Sequence, residues 1–241
     1  MASPHPIFDS TNPNLILAFS SLSIIFEMNS KPNPMICEAC VESLKEAKLA
    51  ELRGANRIEL CSDLANDGLT PSAELMQKAC SELKIPVMVM ARPRAGNFVY
   101  SDAEVEQMKV AIDEAKKTGA AGIVLGLLTC DKQIDEKNTR LLAEYAQPLP
   151  VTFHKAIDEL DDPVEGVQIL RTIPGIKRIL TSGGKATALE GQETIRKMME
   201  TAGDQITILV AGKVLDSNVK EISQLTGATE LHGRRIVGEL I

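Results

Sequence analysis

The sequence predicts one α/β domain of the TIM type, a (β/α)8 barrel, and three observations lead there. From Met35 onward, short β-branched or apolar runs alternate with amphipathic stretches bounded by Gly, Pro or Ser, the pattern of βα units and a parallel sheet. Eight such runs follow one another, which favours a closed barrel over an open sheet. The third observation is local: in Ala55-Asn-Arg-Ile-Glu-Leu-Cys-Ser62, Arg57, Glu59 and Cys61 share one parity, while Ile58 and Leu60 share the other. Side chains alternate across a strand, so one face suits a layer of helices and the other a polar barrel interior.

The strands are expected at 35–41, 57–62, 86–92, 122–128, 150–155, 177–182, 205–211 and 228–232. The first repeats the device of the second, with Glu38 and Cys40 on one parity. Helical patterns lie near 43–53, 72–83, 101–118, 135–146, 162–172, 187–202 and 216–226. Ser101 with Glu104 three residues on fits a capping box, and Gly54, Gly119 and Gly227 fall just past helices, where a left-handed residue is wanted. Seven helices follow eight strands, and the sequence stops nine residues after His232, so the barrel is expected to lack its last C-terminal helix. The bare seam between strands one and eight would expose apolar surface and invite homo-oligomerisation. Residues 1–34 read as an N-terminal extension, distinct from a barrel domain over 35–241. Its apolar run, Leu15 to Phe26, is too short and Ser-interrupted to span a membrane. Leu15, Phe19, Leu22 and Phe26 carry helical spacing that could fill the vacant eighth position.

With 241 residues, one large domain suffices. A net charge of -7 and a sequence pI near 5.1 argue against a nucleic-acid binder, which needs a concentrated basic face. Five cysteines without regular spacing point to thiols in a reducing compartment, hence a cytoplasmic protein.

Functional groups of such barrels gather at the C-terminal ends of the strands. Strand three ends in Arg92-Pro-Arg94-Ala-Gly96, two guanidinium groups suited to bidentate anion recognition; internal pairing of Arg92 with Glu38 or Glu59 is the structural alternative. Strand five carries Thr152 and His154, then Lys155 and Asp158 at the mouth. His154 is a candidate acid–base group, and His232 shares a parity with Glu230 on the last strand. Strand six runs into Thr181-Ser182-Gly183-Gly184, whose N–H groups could cradle an anion. Cys40 and Cys61 lie near the ends of adjacent strands, about 4.8 Å apart, so their thiols could share one ion. Met88 and Met90 have the parity of Arg92, and soft sulfur ligands select Cu(I); Cys and Met are also common core fillers. Cys37, Cys80 and Cys130 have no such partners.

Taken together, these residues resemble the CutC copper homeostasis family. The likeness runs through Glu38-x-Cys40-Val41, Gly54-Ala-Asn-Arg57-Ile-Glu59-Leu-Cys61, Gly68-Leu-Thr70-Pro71-Ser72, Arg92-Pro-Arg94-x-Gly96-x-Phe98-x-Tyr100-Ser101, Leu149-Pro150-Val-Thr152-Phe-His154-Lys-Ala-x-Asp158, Leu180-Thr181-Ser182-Gly183 and Gly227-Ala-Thr-Glu230-x-His232. The resemblance implies a TIM-type barrel, a cytoplasmic location and copper handling through Cu(I), with Cys40 and Cys61 matching the family's proposed copper ligands. Three departures stand out. Val210-Ala-Gly-Lys213 replaces a Pro-Gly-Gly-Gly turn, family members usually continue further past the His of strand eight, and residues 1–34 have no counterpart.

Two functions are therefore expected to compete. One is a Cu(I)-binding homeostasis protein using Cys40 and Cys61. The other is a barrel enzyme acting on a small anionic metabolite, with Arg92, Arg94, Ser182 and Gly183 holding the anion and His154, Glu38, Glu59 or Asp158 moving protons.

Overall fold

The structure is a computed structural model that describes residues 35–240; the expected helix over Leu15–Phe26 lies outside them. Eight strands, β1 (Ile36–Val41), β2 (Arg57–Leu60), β3 (Val87–Met90), β4 (Gly122–Leu125), β5 (Val151–Phe153), β6 (Ile176–Thr181), β7 (Thr207–Val210) and β8 (Glu230–Gly233), pair in sequence order. All pairings are parallel, and β8 returns to β1, closing the barrel. Among the described residues seven helices surround it: α1 (Leu44–Leu52), α2 (Ala73–Glu82), α3 (Asp102–Thr118), α4 (Glu136–Ala146), α5 (Pro163–Leu170), α6 (Gln192–Ala202) and α7 (Val219–Thr226).

Strand parity sorts the side chains as the alternation demands. Outward residues such as Val41, Ile58, Val89, Ile123, Phe153 and Leu231 merge with the inner faces of the helices into one buried cluster. Inward apolar residues form two separate groups, Cys40, Cys61, Met88, Met90 and Val124 on one side and Leu180, Leu209 and Ala211 on the other. The register places Glu38 opposite Arg57 on β2 and opposite His232 on β8, and Cys40 opposite Glu59. The two Glu-x-Cys runs are thus staggered by two residues, which sets Cys40 beside Glu59 and Cys61 one step above.

Local signals start the helices where the sequence places them. Ser43 and Ser72 accept the backbone N–H groups of Glu46 and Leu75, and Ser101 with Glu104 forms a full capping box. The Gly119 that ends α3 is left-handed, with φ 78°. One boundary differs from expectation: α6 begins at Gln192 rather than near 187, because the preceding residues form a separate turn in which Thr187 and Glu190 bond to each other and Gly191 N–H donates to the Thr187 carbonyl. Most strands also end earlier than their apolar runs. Cys61, Arg92 and His154 accordingly sit just beyond β2, β3 and β5, on the upper rim.

Past β8, Arg234–Leu240 follows the barrel wall without forming a helix. Arg234 pairs with Glu42 before α1, and Arg53 beyond the other end of α1 donates to the Glu239 carbonyl. Arg235 bridges to Leu215 before α7. The tail therefore lies where an eighth helix would, with Ile236 and Leu240 buried in the outer cluster, and covers part of the seam whose exposure is the reason to expect self-association.

Gly122 at the start of β4 is a packing requirement. A Cβ there would lie 2.8 Å from the Pro150 carbonyl oxygen and press into the Met88 side chain. Gly122→Ala is expected to lower stability by about 1–3 kcal/mol through overpacking, read as a drop in melting temperature with the CD spectrum of the folded state unchanged.

Candidate functional site

The lower half of the barrel interior holds a line of alternating charge. Arg178 Nε donates to Glu230 Oε2 at 2.9 Å, and Arg57 Nη2 donates to the same oxygen at 2.6 Å. Arg57 Nε reaches Glu38, whose second oxygen meets His232 Nδ1 at 2.8 Å. Burial opposes ionisation of Glu38, but the His232 hydrogen bond and the Arg57 charge overcome it and bring the carboxyl down to about 2. Burial likewise disfavours a charged His232, yet Glu59 and its hydrogen-bond partners hold the imidazolium well above its ordinary value.

Above that line sits sulfur. Cys40 Sγ lies 3.1 Å from Glu59 Oε2 and 4.0 Å from Cys61 Sγ, and Cys61 Sγ is 3.6 Å from the same carboxylate oxygen. His232 Nε2 approaches that oxygen to 3.6 Å. Two sets, Cys40–Glu59–Cys61 and Glu38–Glu59–His232, each bring three ligand atoms within 4.8 Å of one another. Glu59 Oε1 is buried without a partner, and burial pushes this carboxyl up. Both thiols are also raised. Cys40 rises through its hydrogen bond with Cys61 and its burial. At Cys61 the Cys40 hydrogen bond lowers the value, but burial and the Glu59 charge carry it to about 11. The donor set fits a soft cation: two thiols with two thioethers, Met88 and Met90, in one inner cluster.

A cavity of about 420 Å³ opens from this cluster to the C-terminal mouth, with Cys40, Glu59 and His232 on one wall and Arg92, Phe98 and His154 on another. Arg92 is 3% exposed. Its Nη1 donates to the carbonyls of Asn66 and Gly68, at 2.9 and 3.1 Å, and its Nη2 to that of Gly96 at 3.0 Å. It pairs with neither Glu38 nor Glu59. His154 caps the 3-10 turn Lys155–Glu159, its Nδ1 accepting the Ala156 N–H at 3.1 Å. Burial and the neighbouring Arg92 charge bring its conjugate acid down to about 3.

Three residues expected to hold an external anion are committed to internal partners. Arg94 is outside the cavity wall. It pairs with Glu104 and donates to the carbonyls of Asn97 and Val99, bracing the loop that leads into α3. The turn with Ser182 and Gly183 does cradle a carboxylate, but it belongs to Asp158. Ser182 N–H and Gly184 N–H donate to Asp158 at 2.9 and 2.8 Å, joined by the hydroxyls of Ser182 and Thr181. Gly183 N–H turns to Thr181 Oγ1 at 2.8 Å. Burial opposes the Asp158 charge, and Lys155 together with these donors outweighs it, holding the carboxyl below its usual range. Asp158 is thus spent as an anchor, not free at the mouth. His232 and Glu230, which parity alone could single out, prove to be the hub of the polar interior.

Eight parallel strands enclosing buried thiols, carboxylates and a histidine at metal-ligand spacing define a TIM-type barrel with a candidate metal centre inside. The family model described as the CutC family matches residues 35–237. The human "Copper homeostasis protein cutC homolog" is 44% identical over 200 residues, covering 83% of this chain and 73% of that one. A CutC family protein of Photobacterium profundum is 43% identical over 195 residues, covering 81% and 79%. Among solved structures, a CutC protein of Streptococcus agalactiae superposes with a TM-score of 0.79 at 35% identity, covering 84% of this chain and 99% of that one. The chain belongs to the CutC family. A dihydrodipicolinate synthase of Bacillus anthracis, at a TM-score of 0.57 and 15% identity, shares the barrel fold alone.

The ion line predicts a pH signature. The Glu38 carboxyl titrates near 4.5 in an unfolded chain and at about 2 when folded, so its stabilisation is complete above 4.5 and is lost as pH falls toward 2. Glu38→Gln should cost about 3–5 kcal/mol at neutral pH, since it leaves buried Arg57 under-compensated. Melting curves from pH 7 to pH 2 should show a shallower acid decline for the variant than for the wild type.

Proposed function

We propose that this CutC family member handles copper by binding Cu(I) through Cys40 and Cys61. The observation that carries the reading is the pair of buried sulfurs 4.0 Å apart, sharing Glu59, with Met88 and Met90 in the same inner cluster. Soft ligands hidden from water favour a soft ion such as Cu(I) over hard cations such as Mg(II), and the two thioethers add to the preference for Cu(I). Two thiolates and one Cu(I) leave a single negative charge, which the His232 imidazolium beside Cys40 offsets. Because both thiols are raised when empty, binding expels protons, and affinity rises with pH across the neutral range. All five cysteines are free thiols, which supports a reducing compartment and, with it, the cytoplasm. Among the described residues no helix is long and apolar enough to cross a membrane.

The competing acid–base reading has less support. His154, with a conjugate acid at about 3, is too weak a base at neutral pH, and Glu38 is consumed by Arg57 and His232.

Replacing Cys40 and Cys61 together by Ser should weaken Cu(I) binding by about two orders of magnitude or more, measured by competition with a Cu(I) chelator under reducing conditions. Behaviour toward Mg(II), which does not use thiol ligands, should be unaltered. Undiminished Cu(I) affinity in the double variant would remove the thiol site.

A further inference from the structure

The copper reading leaves part of the cavity unused. Its open volume of about 420 Å³ is of the size that takes small molecules. Two side chains on its wall each hold a buried nitrogen without a partner, Nε of Arg92 and Nε2 of His154. They are only 3% and 4% exposed. Both flank one ring: the Arg92 guanidinium carbon lies 5.1 Å from the centroid of Phe98, and the His154 ring 4.8 Å from it. The tautomer of His154 follows from its cap. Nδ1 accepts from Ala156, so the ring hydrogen resides on Nε2, and that atom is a donor. The ring position is built for, since a Cβ on Gly126 would lie 2.5 Å from its Cε1.

Arg92 adds a charge that nothing balances. Its Nη donors go to neutral carbonyls, and among the described residues no carboxylate pairs with it. A buried cation so placed, with a neutral donor across the same ring, is a seat for an anion. The other cations at the mouth are already taken, Lys155 by Asp158 and Arg234 by Glu42. Asp67 and Glu159 also line the cavity and would repel a doubly charged group.

We propose that the cavity binds a small molecule bearing a single carboxylate, whose oxygens accept from Arg92 Nε and His154 Nε2 while its apolar body rests on Phe98, Met90 and Leu64. This goes beyond the copper reading, in which neither Arg92 nor His154 is a ligand. Burial and the Arg92 charge keep His154 neutral at physiological pH, so the donor is present throughout.

The test uses metal-free, full-length protein titrated by calorimetry with acetate, pyruvate and butyrate, and with inorganic phosphate, at constant ionic strength. In parallel, the His154 Nε2–H resonance is followed in histidine-labelled protein by NMR. At least one carboxylate is expected to saturate and to move that resonance, and phosphate is not. His154→Asn retains an oxygen for the Ala156 N–H but withdraws the Nε2 donor, and should weaken binding about tenfold or more while the CD spectrum of the folded state is retained. Arg92→Lys should weaken it at least as much, because the Nε donor is lost. The proposal is overturned if none of the three carboxylates saturates up to the order of 10 mM. It is equally overturned if the bound resonance does not move, if phosphate binds in preference, or if His154→Asn binds like the wild type. Cu(I) affinity, measured on the same preparations, should be unchanged in His154→Asn, so that failure of either site is read separately.

Discussion

Arg178, Glu230, Arg57, Glu38 and His232 form one continuous line of alternating charge across the barrel, and the arrangement above it depends on that line. Glu38, Arg57 and His232 are buried, and their charges are tolerable because their neighbours carry the opposite sign, with Arg178 and Glu230 closing the line from partly exposed positions. The line also spans β6, β8, β2 and β1, so it crosses the junction where the barrel closes. By consuming both oxygens of Glu38, it leaves Glu59 as the carboxylate that faces the two thiols. The two thiols and their carboxylate thus sit directly above the charged line, joined to it through His232.

The barrel interior is consequently stratified. Ionic groups occupy the level of Glu38 and Glu230, sulfur the level of Cys40 and Cys61, and the rim holds neutral His154 and the Arg92 guanidinium among other charged side chains. Cys40 and Glu59 line the same cavity as Arg92 and His154, so an ion reaching the thiols and a molecule resting on Phe98 would share one opening. Occupancy of the rim would screen the sulfurs from water and from bulky chelators without altering the ligands themselves.

Much of this was legible in the sequence because strand parity is a rigid rule. The alternation in Arg57-Ile58-Glu59-Leu60-Cys61 sorts inner from outer residues without further information, and the eight-fold repeat of βα units leads to the closed sheet. Register was not legible: whether Cys40 stands beside Glu59 or beside Arg57 depends on a two-residue stagger that no single strand encodes. The internal partners of Arg92 were not legible for a different reason. Its partners are the carbonyls of Asn66, Gly68 and Gly96, groups that every residue possesses and that leave no trace in composition. The tail after β8 shows the same limit, since Ile236 and Leu240 stand four residues apart, as on a helix, yet cover the wall from a segment that is not helical.

The Asp158 carboxylate in the turn after β6 has a further consequence. A group tethered to the chain competes for its seat at an effective concentration that free solutes rarely match, and it never dissociates from the molecule. Cells hold phosphate esters in abundance, and a glycine-lined turn at the mouth of a barrel would ordinarily be open to them. Here that turn is furnished from within, so its N–H groups are closed to phosphate esters whatever their concentration.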